Sequence, residues 1–380
     1  MFTLIRDAEV YTPQKAGKMD ILLCNDRIIK CGANLRFRDR ELREIDARGR
    51  IAVPGLIDQH VHVTGGGGED GFRSRIREIS LEQLIRGGIT TVVGLLGTDG
   101  TTRSVENLLA KTKALNEEGV TAYCLTGSYE YPSPTLTGSV AKDILFVQEI
   151  LGLKLAISDH RGSQLTEQEL IRAFSEVRRA SLLSGKPGLV CLHTGTGKEG
   201  LSQLIHIAET TEIPISLMRP THAARVPDDA IRFAAMGGWI DFTASGNPQR
   251  LAKRLCKVLE QADLTRVTFS SDGNGSSPRY DESRQLVGMG VGDVSLLWKN
   301  VRAFVQLGIL PLEKALPFIT LNPARALGLE KRKGFLAPGA DADLVLLKDM
   351  EIDAVIAKGE LMMENGQILR HGYYTYEQES

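Results

Sequence analysis

Eight short β-rich runs, separated by longer helical patterns, constrain this chain more than any other feature. They fall at 56–63, 90–95, 121–126, 154–158, 188–193, 215–221, 239–243 and 267–271, and such alternation builds a parallel sheet from repeated βα units. The intervening segments carry helical spacing, as in Leu81, Leu84 and Ile85, or in Leu108, Leu109, Thr112 and Leu115. The first of them stops at Gly87-Gly88, a natural C-cap. Eight is the strand number of a (β/α)8 TIM-type barrel, which takes about 250 residues. An open doubly wound sheet shares this local pattern and differs in whether the last strand meets the first.

The flanks have another texture. Residues 1–54 and 335–380 hold strand-length apolar runs such as Ile21-Leu22-Leu23 and Leu344-Val345-Leu346-Leu347, broken by Gly and Asp turns. Strands need partners, so both chain ends are expected to build one small β-sandwich domain. The expected class is α/β, with the barrel over 55–334.

A net charge of -1 over 380 residues, with both signs interspersed, makes no field that would gather nucleic acid or an anionic membrane. Small solutes are the expected partners. The opening MFTLIRDAEV places Arg6, Asp7 and Glu9 where a secretory leader needs apolar residues, and the expected location is cytoplasmic. Five scattered cysteines, Cys24, Cys31, Cys124, Cys191 and Cys256, form no CxxC pair and read as reduced core residues.

Chemistry enters at PGLIDQHVH, residues 54–62. Strand alternation sends His60 and His62 to the same side, into the barrel mouth, where paired imidazoles form a metal platform. His193 and His222 end the fifth and sixth runs and face the same mouth, whereas His160, His206 and His371 lie off it. Asp272, after the eighth run, adds a carboxylate able to bind metal and move protons; a turn-forming Asp before Gly is the plainer alternative. Lys154 begins the otherwise apolar fourth run. Burial would favour its neutral amine, which can take up carbon dioxide as a bidentate carbamate; alternatively the chain snorkels to the strand edge.

These residues resemble the amidohydrolase superfamily and, within it, the bacterial isoaspartyl (β-aspartyl) dipeptidases. PGxxDxHxH is superfamily-wide; DQHVHVTGGGGE, TTVVGLLGTD, LTGSYEYPS, AISDHRG, PTHAAR and SSDGNGS are narrower, and the likeness covers nearly the whole chain. It implies two Zn2+ ions per subunit, His60 and His62 holding one with Asp272, His193 and His222 the other, and N6-carboxylated Lys154 bridging them. It also implies cleavage of β-aspartyl dipeptides into aspartate and the C-terminal amino acid. A metal-bridged hydroxide would attack the side-chain amide, Tyr129 would polarise its carbonyl, and Asp272 would shuttle the proton. A homo-oligomer, up to an octamer, is implied too. The stretch 245–264 is shorter than that family's.

Such a substrate carries one ammonium and two carboxylates. Glu69, after Gly65 to Gly68, suits the ammonium, and Arg161 and Arg225 can each grip a carboxylate; Thr98 and Ser276 are implied as further hydrogen-bonding contacts. Without the resemblance, Arg161 could pair with Asp159 or Asp143, and Tyr129 could be a packed loop aromatic. A dihydroorotase or hydantoinase would share the metal ligands without needing Glu69. A non-catalytic scaffold on the same fold is the more distant alternative.

Overall fold

The computed structural model describes residues 1–280 and 286–373, with the side chains of 278–280 and 286 left aside. Eight parallel strands carry the larger unit: β1 (Leu56–Val61), β2 (Ile89–Gly94), β3 (Thr121–Gly127), β4 (Ile150–Ile157), β5 (Leu189–Thr194), β6 (Met218–Thr221), β7 (Ile240–Thr243) and β8 (Val267–Ser270). The first six form one curled sheet in chain order, and β7 and β8 form a two-stranded parallel sheet. β6 lies beside β7. Beyond β8, Gly273 bridges Val61 in parallel, and the His62 N–H donates to its carbonyl at 2.9 Å.

Every residue of β1 to β6 is buried or, at Thr121 and Tyr123 of β3, half-buried. That explains their continuous apolar character, since a parallel sheet is covered on both faces. The helices between strands start where local chemistry demands. Ser80 and Gln83 make a reciprocal capping box for Leu81–Arg86, as Thr166 and Glu169 do for Glu167–Ser184. The stretch 245–264 contains the helix Pro248–Gln261, capped by the Asn247 side chain.

Two expected starts move: the sixth run opens as a 3-10 turn, Ile215–Leu217, so that β6 begins at Met218, and the fourth run lengthens. β4 begins at Ile150, four residues before Lys154, so Lys154 stands mid-strand rather than at its start. Its exposure is 0%, which removes the snorkelling alternative.

Both chain ends share one nine-stranded sheet, joined where Ile51–Pro54 pairs antiparallel with Leu344–Lys348. Rather than two separate sheets, a single sheet folds at its long strand Phe2–Tyr11. Residues 2–6 of that strand pair with Leu42–Asp46 and residues 9–10 with Ile51–Pro54, either side of a register shift at Asp7, whose φ is 55°. Ile5, Ile21, Ile28, Leu336, Leu344 and Ile356 fill the fold between them. Residues 374–380 of the expected domain lie outside the described residues. No helix among the described residues is long and apolar enough to cross a membrane.

Lys333 ties the two units together. Its Nζ donates to Thr121 Oγ1 on β3 at 3.0 Å, approaches Asp341 Oδ2 at 3.0 Å and bonds Asp343. With the amine 4% exposed and both carboxylates below 10%, removing the cation leaves the buried Asp343 carboxylate without it, while Asp341 keeps Arg27 and Arg332. Lys333→Met is therefore expected to lower unfolding free energy by ~3 kcal/mol, read from the urea midpoint; an unchanged midpoint would show that the cluster is not a structural clasp.

Candidate metal centre and substrate cavity

The strand ends converge on one polar cluster. Asp272 Oδ1 lies 3.2 Å from both His60 Nε2 and His62 Nε2, and ligand atoms of His60, His222 and Asp272 all fall within 4.8 Å of one another. The His222 and His193 rings are 4.5 Å apart, edge to face. The chain turns sharply to aim these groups: Ser158 after β4, His222 after β6 and Asp272 after β8 all have left-handed φ, at 52°, 59° and 53°, a strained conformation typical of functional sites.

Burial sets the charges. It lowers the His62 imidazole, holds His193 down to about 3 and drives His222 well below its ordinary value, so these rings are neutral at pH 7. His60 rises to about 9, because Asp272 outweighs burial and the Lys154 charge. Burial alone would raise Asp272, but His60 and His62 hold it well below the carboxylate range. Burial lowers Lys154, whose Nζ lies 3.7 Å from Cys191 Sγ.

Buried imidazole nitrogens should have partners, yet His60 Nδ1 and His62 Nδ1 accept or donate no hydrogen bond. Four imidazoles, an anionic carboxylate and a buried lysine in one cluster with those orphaned nitrogens fit divalent metal. The ring of His222 is fixed from behind by Thr243, with Nδ1 and Oγ1 2.6 Å apart.

Above the cluster opens a cavity of about 170 Å³, lined by His62, Glu69, Thr98, Tyr129, Arg161, His193, Arg225, Asp272 and Ser276 among others. Glu69 Oε1 accepts from Thr98 Oγ1 and Ser276 Oγ, each at 3.3 Å, and sits 3.5 Å from Arg161 Nη1. Arg161 also pairs with Asp159 through Nε and Nη2, each at 2.9 Å, so the plainer pairing is real while the guanidinium still faces the cavity. Asp143 is occupied elsewhere, by Thr126, Leu136 and Thr137. Arg225 Nη1 donates to Thr194 O at 2.7 Å. Tyr129 is 5% exposed, bonds His193 Nδ1 through its hydroxyl, and is kept protonated by burial.

All the residues singled out at this mouth come together there; His160, His206 and His371 stay outside it, on exposed positions. Other participants were missed. Arg103, 7% exposed, donates to the carbonyls of Thr64, Gly66 and Ile76 and so holds the glycine loop. Asp58 accepts from the backbone N–H of His60 and Ser271, tying β1 to β8; its place within PGLIDQHVH was the available signal. Asp159 Oδ2 also reaches His193 Nε2 at 2.8 Å.

The amidohydrolase family model matches residues 51–362. A β-aspartyl dipeptidase from Fervidobacterium islandicum AW-1, whose structure is a complex with β-Asp-Leu, is 42% identical, with 98% of this chain and 100% of that one covered and a TM-score of 0.91. A dihydroorotase from Pelotomaculum thermopropionicum is 27% identical over 91% of this chain and 89% of its own length. An adenine deaminase from Bacillus pumilus is 25% identical over 86% of this chain, which spans 52% of that protein.

The groups behind the ligands give a test. Thr243→Val deletes the hydroxyl that orients His222 and is expected to weaken divalent-metal binding ~10–100-fold. Titration against a competing chelator reads this directly, and wild-type affinity would deny Thr243 that role.

Proposed function

The chain belongs to the amidohydrolase family and is a hydrolytic enzyme, and from that premise we propose that it is a zinc-dependent dipeptidase cleaving β-aspartyl (isoaspartyl) dipeptides. One observation carries this reading: an anionic Glu69 shares a small cavity with Arg161, Arg225 and the His/Asp cluster. One anion and two cations complement a substrate with one ammonium and two carboxylates. The Fervidobacterium relative, solved with β-Asp-Leu, supports the same substrate class.

His60, His62, His193, His222 and Asp272 would hold two zinc ions, with Lys154 as the carboxylated bridge. When bound, the metals supply Lewis acidity and a water that ionises near neutral pH. The protein's own groups do the rest. Glu69, steadied by Thr98 and Ser276, receives the α-ammonium, and Arg161 and Arg225 clamp the carboxylates, so that the scissile amide lies beside Asp272. Tyr129, a protonated phenol, donates a hydrogen bond to the amide oxygen as negative charge develops there. Asp272, a carboxylate at working pH, takes the proton of the attacking water and passes it to the leaving amine.

The same proposal takes residues 55–334 as the closed (β/α)8 barrel, supported by the Val61–Gly273 bridge, and 1–54 with 335–380 as the β-sandwich domain, supported by their shared core. A cytoplasmic location is carried over from the sequence reading, and assembly into a homo-oligomer, up to an octamer, rests on the sequence resemblance alone. A cyclic amidohydrolase is the second reading, favoured by the dihydroorotase relative. Cyclic amides offer no free ammonium, and Glu69 then has no cationic group of the substrate to receive.

β-Asp-Leu, dihydroorotate and hydantoin are the discriminating panel: cleavage of the dipeptide alone is expected, and cleavage of a cyclic amide without it overturns the assignment. Asp272→Asn should lose ~100- to 10,000-fold in turnover while keeping bound metal; near-normal turnover would remove the proton shuttle. Arg225→Ala should cost ~10–100-fold in kcat/KM, the loss of one charged hydrogen-bonded contact, and an unchanged value would free Arg225 from the carboxylate.

A further inference from the structure

The hairpin after β8 carries an apolar face on its second strand. Its strand Leu286–Val291 alternates Val287, Met289 and Val291 with Gly288 and Gly290, so side chains project from a single side. Those three are 64%, 51% and 52% exposed. The register tells where that side faces. Ser276 pairs with Val291, and residues directly opposite in an antiparallel pair share a face. Ser276 Oγ reaches Glu69 at 3.3 Å and Met289 lines the substrate cavity, so the apolar side overlooks the site.

The hairpin root is fixed to the backbone turn that carries Asp272. Gly292 N–H donates to Gly275 O, Asn274 N–H donates to Gly292 O, both at 2.8 Å, and a Cβ on Gly292 would stand 2.4 Å from the Asp272 carbonyl oxygen. The ribbon is therefore seated against the strand end that carries Asp272.

We propose that this face, with Met289 at its centre, is the subsite for the side chain of the leaving amino acid and selects apolar residues; the inference rests on the dipeptidase reading above. The aspartyl half of the substrate is consumed by charged partners. What remains without charge is the second residue's side chain. Beyond Tyr129, the cavity wall offers glycine and polar groups to it, and Met289 is the aliphatic exception. An unbranched thioether adapts to side chains of different shape, giving a graded preference instead of a single fit.

The measurement is kcat/KM for β-Asp-Leu and β-Asp-Gly with wild type, Met289→Ser and Met289→Leu. In Met289→Ser the Leu/Gly ratio should fall about fivefold, as expected when roughly half a leucine side chain loses its apolar cover, while β-Asp-Gly is unaffected and Met289→Leu retains the wild-type ratio. An unchanged ratio, or a parallel loss with both dipeptides, overturns the subsite. If wild type cleaves neither dipeptide, the dipeptidase reading itself fails.

Discussion

A parallel barrel-like sheet buries the inward side of every strand, so each polar group placed there must be satisfied by another or by an ion. Two layers of this interior meet that constraint differently. In the lower, Arg219 Nη1 donates to Gln59 Oε1 at 2.7 Å, and Gln59 Nε2 donates to Asp241 Oδ1 and Thr268 Oγ1 at 2.8 and 2.6 Å. Ser270 donates to the other Asp241 oxygen. These groups bond chiefly to one another within the protein, with Arg219 Nε alone of them left without a hydrogen bond. The upper layer, with His60, His62 and Lys154, leaves ring nitrogens without partners. The polarity is set so that the residual demand for a cation appears at the mouth, where substrate arrives.

That arrangement gives each side chain its protonation state. Burial makes His62, His193 and His222 neutral donors of lone pairs and makes Tyr129 a proton donor, while neighbouring imidazoles make Asp272 an acceptor. Outside this layer the charges change purpose: Glu69, Arg161 and Arg225 face open cavity, where the proposed reading has them meet the substrate's charged ends. The apolar ribbon of Val287, Met289 and Val291 completes the sequence from ion, to charge, to side chain.

Much of this was legible because the relevant signals are local. Eight strand-like runs correspond to eight strands, and positions at their ends mark the mouth. The start of β4 was not legible for a physical reason. Gly152 reads as a breaker, yet it lies inside the strand because a Cβ there would meet Leu189 O at 1.9 Å; glycine permits close strand approach, not a turn. Arg103, Thr243 and the contact of Asp159 with His193 escaped because they arise across the fold, with Arg103 reaching 39 residues back to Thr64. The folding of the end strands into one sheet depends on a bend at Asp7 that alternation alone does not encode. Nor did apolar patterning distinguish Met289 from a core residue.

The central claim is that this cluster is a hydrolytic metal centre built for an amide with charged ends. Metal-free protein titrated with Zn2+ in bicarbonate buffer, with hydrolysis of β-Asp-Leu followed at each addition, tests it most directly. Activity should be absent at the start and rise to a plateau at two equivalents per subunit; full activity in the metal-free protein, or none at any loading, would contradict the account.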